Sequence, residues 1–468
     1  MANGKGDPMI NLSETPFSCY GAYFCVRKEA EQEEAFWVYS LHGISQGLGG
    51  SLSFTFTVNG KVVRTRYSCD GDKITIYHAD RPGMETALVE LSFGSGADLC
   101  ISSKFQKAGV LVDTHPRFAS EPVVAVGMNS AVINSYKNKS KYLLTCSCGR
   151  MTISQYIDAA QSANHPSGGK QAKIQICGKE QGLCIHLVDV TENEVNIREE
   201  EHIQESQTFD DWLDGYGKFY DLDLKRFPMY GSDNVLRISV QETMKKAIYI
   251  LWSSYVYKGG FLKRGIIYSS NRDFPGIWSW DNGFISAALA PVFPKLAYDE
   301  LAVFFDYQSE SGQLPDSVSD SCIGWNYCKP PVTGWFLLQG EDWLKLSEEQ
   351  TQILYQGVAR QVHFYDCFKD MNQDGICEYR YGNDSGQDNS TLFDSGEAVD
   401  SPDLNAWLIC CEDWLSVAAK RLGKSEEAVD WKNRADHRTE RFLEYFIPAL
   451  NKIESVTFSD TMQDTLWV

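Results

Sequence analysis

The chain has 468 residues, 43% of them apolar and 23% charged, values that allow large buried cores and argue against disorder throughout. At this length roughly two to four domains of ordinary size are expected. The formal net charge of −20 excludes a general nucleic-acid or anionic-membrane binder, because neutralising phosphates takes clustered Lys and Arg; a neutral, hydroxyl-rich ligand is indifferent to it.

The opening "MANGKGDPMINLSETPF" lacks the apolar run of a signal peptide, and no stretch of about 18 apolar residues follows it. The expectation is a cytoplasmic chain with no membrane partner. None of the fourteen cysteines falls in a paired CxxC or Cys/His zinc spacing. The adjacent Cys410 and Cys411 lie in a helical pattern and are expected to pack as small apolar residues.

Residues 1–205 are expected to form an all-β sandwich. "SLSFTFTVNGKVVRTRYSCDGDKITIYHAD" alternates apolar and polar residues, punctuated by the turn signals Asn59-Gly60 and Asp70-Gly71-Asp72. Shorter strands follow in "TALVELSF", "PVVAVGM", "YLLTCSC", "KIQICG" and "LCIHLVDV". The polar loop "QSANHPSGGKQ" interrupts them. The charged "REEEH" run reads as a solvated face leading into a linker over 206–230. From Trp212 the character turns helical, and 231–468 should hold about seven helices joined by long Gly/Pro/aromatic loops. N-caps are expected at Ser232-Asp233, Ser347 and Ser425.

Ten of the twelve tryptophans lie after residue 230. A helical Trp is ordinarily core; a Trp in a loop beside Gly and Asp suits stacking on a sugar face, which singles out Trp280 and Trp335. Three segments concentrate chemistry-bearing residues. In "NRDFPGIWSWDNGFISAALA", Asp281 precedes a helix and reads as an N-cap or as a group pointing into a pocket. "SGQLPDSVSDSCIGWNYCKPPVTGWFLLQG" contributes Gln313, Lys329 and Trp335. "YGNDSGQDNSTLFD" packs Asp384, Asp388, Asn389 and Asp394 among small residues.

The order WxWD, xPPxxxW, SGxDNSxxxD and DLNA, here Trp278–Phe284, Lys329–Trp335, Ser385–Asp394 and Asp403–Trp407, resembles inverting glycosidases built on an (α/α)6 barrel. The resemblance is strongest to glycoside hydrolase family 63 and the mannosylglycerate hydrolase type. It implies an (α/α)6 toroid over 231–468, and cleavage of α-glucosidic or α-mannosidic bonds in an oligosaccharide or glycoside. Residue by residue, it implies Asp388 as general acid, Asp281 as a ligand of substrate hydroxyls, Trp280 as a pocket wall and Lys329 as a sugar contact; no cofactor is required. A general acid must hold its proton near neutral pH, so its carboxyl is expected in apolar or anionic surroundings, with Asp384, Asp394, Tyr381 or Phe393 supplying them.

The chain departs from that pattern in three places. Thr391-Leu392 stand where the family has Pro-Arg, and Lys329 stands where it has Gln. The second carboxylate of an inverting pair, about 6.5–9.5 Å from the acid, is in the family a Glu of the last barrel helices. The chain ends after about half of such a barrel, so the barrel is expected to be incomplete, that Glu to lie beyond residue 468, and the chain to oligomerise through exposed barrel helices. No base is assigned. The competing classes are a non-catalytic carbohydrate-binding or regulatory protein that keeps half the pocket, and another (α/α)-barrel enzyme such as a lyase.

"DMNQDGICEY" poses a separate question. Asp370, Asn372, Asp374 and Gly375 match the start of a calcium loop, and Glu378 stands at its ninth position; Tyr381 replaces the twelfth-position Glu. A structural calcium ion and an Asx-rich turn are the two readings.

Overall fold

The computed structural model describes residues 10–30, 33–43, 49–80, 86–94, 97–115, 123–135, 139–157, 170–180, 182–191, 207–226, 240–272, 274–447 and 456–457. The cap at Ser232-Asp233, the "REEEH" run, most of the polar stretch 161–171 and the last eleven residues lie outside them. The described chain divides into two compact units, Met1–Tyr257 with Ser270–Gly276, and Lys258–Ser269 with Ile277–Val468.

In the first unit the strands are β1 (Phe24–Arg27), β2 (Phe36–Ser40), β3 (Leu52–Val58), β4 (Lys61–Val62), β5 (Thr65–Cys69), β6 (Lys73–His78), β7 (Val89–Phe93) and β8 (Leu99–Ser103). They continue with β9 (Ala108–Thr114), β10 (Val123–Gly127), β11 (Ser130–Ser135), β12 (Ser140–Cys148), β13 (Arg150–Ile157), β14 (Lys170–Cys177) and β15 (Leu183–Asp189). One sheet runs β1-β2-β3-β9-β14-β13 with β4 hairpinned onto β3; the other runs β10-β11-β12-β15-β8-β7-β6-β5. The Asn59-Gly60 turn closes the β3–β4 hairpin with both residues at positive φ. Period-two alternation sets the inner faces: Leu52, Phe54 and Phe56 of β3, and Ile101, Leu144, Ile185 and Leu187 of the second sheet, are fully buried. Phe24 of β1 meets Tyr142 of β12 at 5.8 Å between ring centroids, so the inner faces of the two sheets share one aromatic core.

Among the described residues, two helices belong to this unit. Helix α1 (Phe209–Tyr220) lies within the segment expected to be a linker, started by a capping box in which Thr208 and Asp211 satisfy each other's backbone N–H groups. Its Phe209, Trp212, Leu213 and Tyr216 are buried. Helix α2 (Val240–Ser253) packs in the same unit. The compact division therefore falls at Tyr257, downstream of the boundary at 231 read from composition.

The second unit is helical: α3 (Asp281–Leu289), α4 (Pro294–Ala302), α5 (Thr333–Gln339), α6 (Glu341–Leu344), α7 (Glu348–Phe368), α8 (Pro402–Arg421) and α9 (Ser425–Phe446). Ser347 caps α7 in a capping box with Gln350. Ser425 is the first residue of α9 rather than its cap, which is Lys424. Helices α7, α8 and α9 are bound by a buried charge network. Arg438 donates to Glu412 at 2.9 and 3.0 Å and to Asp366 at 2.6 Å, and Arg434 donates to the same two carboxylates.

Candidate active site

Short strand pairings at the mouth of the helical unit bring distant motifs together. Ile277–Trp278 pairs with Ser317–Val318, which pairs with Ile323–Gly324. This three-stranded ribbon sets the WxWD loop beside the "QLPDS" loop. Ser279 donates through both N–H and hydroxyl to the Asp316 carbonyl, and Asp316 N–H donates to Gly324 O at 2.9 Å.

Asp281 opens α3 as its first helical residue; Trp280 holds the cap position and makes no side-chain cap bond. The carboxylate complements the positive helix end without capping it, which corrects the N-cap reading. Its burial, with Asp388 nearby, raises its pKa, and Lys329 opposes the rise.

The acid loop is pinned at two points. Gly386 sits at φ +73°, and a Cβ placed there would lie 3.1 Å from the Trp280 indole, so "SGQD" lies directly on the WxWD loop. Asp384 is 1% exposed, ion-paired to Lys369 at 3.2 Å, and accepts from the Cys328 N–H at 2.9 Å. It thereby ties the acid loop to the residue preceding Lys329. The anionic neighbour expected for Asp388 is instead neutralised by its own lysine.

Lys329 stands among the carboxylates. Its side chain is 9% exposed, its Nζ lies 3.7 Å from Asp388 Oδ1, and it donates to the Asn383 carbonyl. Gln313 reaches the same strip, donating to Cys328 Sγ at 3.3 Å. Asp388 itself is 59% exposed and faces a cation. That differs from the apolar or anionic shell expected of it: Tyr381 is exposed, Asp394 is exposed, and Phe393 packs towards Tyr379.

The sequence reading missed Asp316. It is 5% exposed, and its Oδ1 is buried with no hydrogen-bond partner among the described residues. Burial pushes its pKa up to about 6; Lys329 opposes, while Asp384, Asp388 and Asp281 reinforce the rise. Only the "PD" beside Gln313 marked it in the sequence, and a Pro-Asp pair in a loop is an ordinary turn signal.

An aromatic wall completes the site. Trp280 meets Trp407 edge-on at 6.2 Å, and Trp335 meets Trp407 at 5.9 Å. Trp335 lies on α5 rather than in a loop. Trp407, from the "DLNAW" turn of α8, buries an indole N–H that has no hydrogen-bond partner among the described residues. Tyr327 and the 61% exposed Tyr381 stand edge-to-face at 6.4 Å. The arrangement offers carboxyl oxygens, an ammonium, an N–H donor and ring faces, the groups that recognise sugars.

The 370–378 loop is organised differently. Asp370 accepts from the N–H groups of Asp374 and Gly375, Asn372 from Asp374 N–H, and Asp374 from Ile376 N–H and Arg441. Glu378 lies in a short strand opposite Asp400, its Oε2 accepting from Met371 N–H at 3.4 Å. Apart from Glu378 Oε1, which is buried without a hydrogen-bond partner among the described residues, these carboxylates are turned onto backbone donors and an arginine, and among the described residues they gather into no cluster of three metal-ligating groups.

Residues 274–459 match the model of the mannosylglycerate hydrolase MGH1-like glycoside hydrolase domain. The chain thus carries a glycoside hydrolase domain of this type, in agreement with the resemblance carried by its four motifs. Similar solved structures include an inverting mannosidase of family GH92 from Bacteroides thetaiotaomicron, with 10% identity over 99% of this chain and 67% of that one and a TM-score of 0.55. They also include a bacterial glucoamylase complexed with acarbose, with 10% identity over 97% and 71% and a TM-score of 0.52. A further GH92 glycosyl hydrolase has 12% identity over 97% and 65%, with a TM-score of 0.50. At such identities these likenesses speak for the fold alone: a strand-rich N-terminal region followed by a helical domain. No curated protein matches the sequence.

Proposed function

We propose that the chain hydrolyses an α-glycosidic bond, of an α-glucoside or α-mannoside, with inversion at the anomeric carbon. The observation that carries this reading is the convergence of Asp281, Asp316 and Asp388 around one nearly buried lysine, Lys329, beside a wall of three tryptophans. Lys329 and Asp281 bind hydroxyls, Trp280 and Trp335 shape the pocket, and Trp407 donates its indole N–H. Gln313 sets the edge of the strip that carries Lys329.

Asp388 is the general acid by its place in "SGQDNS". A second assignment is favoured by the burial of Asp316, which meets the protonation requirement directly: its carboxyl keeps its proton up to about pH 6, and its buried Oδ1 has no hydrogen-bond partner among the described residues. On that assignment Asp388, exposed and beside Lys329, orients substrate or water.

Leaving-group dependence distinguishes the two. Asp388→Asn and Asp316→Asn are assayed on an alkyl α-glycoside and on the dinitrophenyl α-glycoside of the same sugar. Removing the acid lowers turnover of the alkyl substrate by about 100- to 10,000-fold and spares the dinitrophenyl substrate, whose leaving group needs no proton. Proton NMR of the first product should show the β-anomer. Sugar binding with no turnover of any α-glucoside or α-mannoside would sink the hydrolase reading in favour of a binding protein.

A further inference from the structure

Outside this pocket, the strand-rich unit gathers two thiols and an imidazole on one face of its second sheet. Cys184 and His186 are two apart on β15 and so project to the same side; Cys100 of β8 stands directly across the ladder from His186. Their burial alternates with that of Leu183, Ile185 and Leu187, so this is the outward face, half-buried rather than core. Cys100 Sγ, Cys184 Sγ and a His186 ring nitrogen all lie within 4.8 Å of one another.

The imidazole is oriented from behind. His186 Nδ1 is 2.9 Å from Asp98 Oδ2, which places the proton on Nδ1 and turns the Nε2 lone pair to the thiols, 3.5 Å from Cys184 Sγ. Room for that carboxylate is made by Gly94, where a Cβ would lie 2.4 Å from Asp98 Oδ1. The competing arrangement is a chain of S–H hydrogen bonds from Cys100 to Cys184 and from Cys184 to His186. A tetrahedral zinc ion bound at the usual Zn–S and Zn–N lengths separates S from N by about 3.6 Å, close to the separation between Cys184 and His186. A carboxylate on the far nitrogen is the usual support of a metal-bound histidine.

We propose that Cys100, Cys184 and His186 bind a thiophilic divalent cation, zinc above all, with Asp98 as the positioning carboxylate and the fourth coordination place open to water. Two sulfurs and one imidazole suit zinc rather than calcium or magnesium, which take oxygen ligands. As each Sγ–metal bond forms, its thiol proton passes to solvent, and no electron is transferred. Cys148 stands opposite Cys184 in the ladder, but its thiol donates to Gly182 O at 3.3 Å and lies outside the ligand set. The site clasps β8 to β15.

The test is titration of the full chain, reduced and stripped of metal, with Co²⁺. One equivalent should produce the sulfur-to-cobalt charge-transfer band and the visible bands of a tetrahedral ion, and Zn²⁺ should bleach them. Cys100→Ser and Cys184→Ser should abolish the charge-transfer intensity or cut it to about half, while Cys367→Ser leaves it intact. Asp98→Asn keeps all three ligands and should weaken binding about 10- to 100-fold; it decides the matter should a cysteine variant not fold. Absence of a charge-transfer band, or a band of undiminished intensity in either Cys100→Ser or Cys184→Ser, overturns the proposal.

Discussion

Gly386 holds φ +73° with Trp280 against its Cα, so a side chain there is disfavoured twice, by backbone conformation and by the indole. Gly386→Ala should push the acid loop off the WxWD loop. We expect at least a tenfold loss in kcat/KM on an α-glycoside with only a small fall in melting temperature, because the loop lies outside the helix core. Equal losses in activity and stability would mean that the loop is part of the core instead. Trp407→Phe keeps the ring packing on Trp280 and Trp335 and removes the buried N–H. Its expected effect is a raised KM, worth about 1–3 kcal/mol if a substrate hydroxyl is left unpaired, with no loss of stability. An unchanged KM would remove Trp407 from the substrate site.

At the scale of elements, the helical unit depends on its buried charges. Glu412 is 1% exposed and shared by Arg438 and Arg434, which also hold Asp366 of α7. Glu412→Gln leaves the nearly buried Arg438 with Asp366 as its one carboxylate and should cost about 1–3 kcal/mol in urea unfolding. A cost below about 1 kcal/mol would mean that water reaches the network. Helix α1 gives a smaller contrast: Thr208→Ala removes the capping box and should cost about 1 kcal/mol, read from the unfolding of the strand-rich unit.

At the scale of the molecule, pH acts through carboxyls that folding takes out of water. Burial raises Asp316 to about 6, and Glu378 and Asp400 to about 7, and holds Glu300 well above the ordinary range. Glu378 and Asp400 face each other across a two-strand ladder, and Asp400 also opposes ionisation of Glu378; Asp374 and Asp370 oppose that of Asp400, while Tyr445 donates to Asp400 at 2.6 Å and lowers its pKa in part. In the unfolded chain these groups ionise near pH 4. The folded state therefore binds more protons between about pH 4 and about pH 7, and their contribution to stability falls as pH rises through that window, levelling off above it. Thermal melts from pH 5 to 8 should show this decline, and Glu378→Gln should flatten it. A slope unchanged by that substitution would exclude the pair as its source.

The extent of what could be read from residues alone follows from the range of the interactions involved. Alternation in "SLSFTFTV", the Asn59-Gly60 turn and the Ser347 cap are local, so strands, hairpin and helix start were legible without coordinates. Four short motifs in a fixed order were enough to identify the glycosidase resemblance and to single out Trp280, Asp281, Lys329 and Asp388. Burial, by contrast, is a property of neighbours brought from far along the chain. Whether Asp316 or Asp388 lies out of water, whether Asp384 meets Lys369, and whether Cys100 meets His186 depend on pairings that no spacing encodes. Helix α1 was taken for linker because it follows directly on the charged run that reads as a connector, while the face that buries Trp212 shows only once the strand-rich core exists to receive it. Sequence thus determined which chemistry the chain carries; the tertiary structure decided which of its carboxyls and thiols are placed to use it, because desolvation and proximity are set by packing.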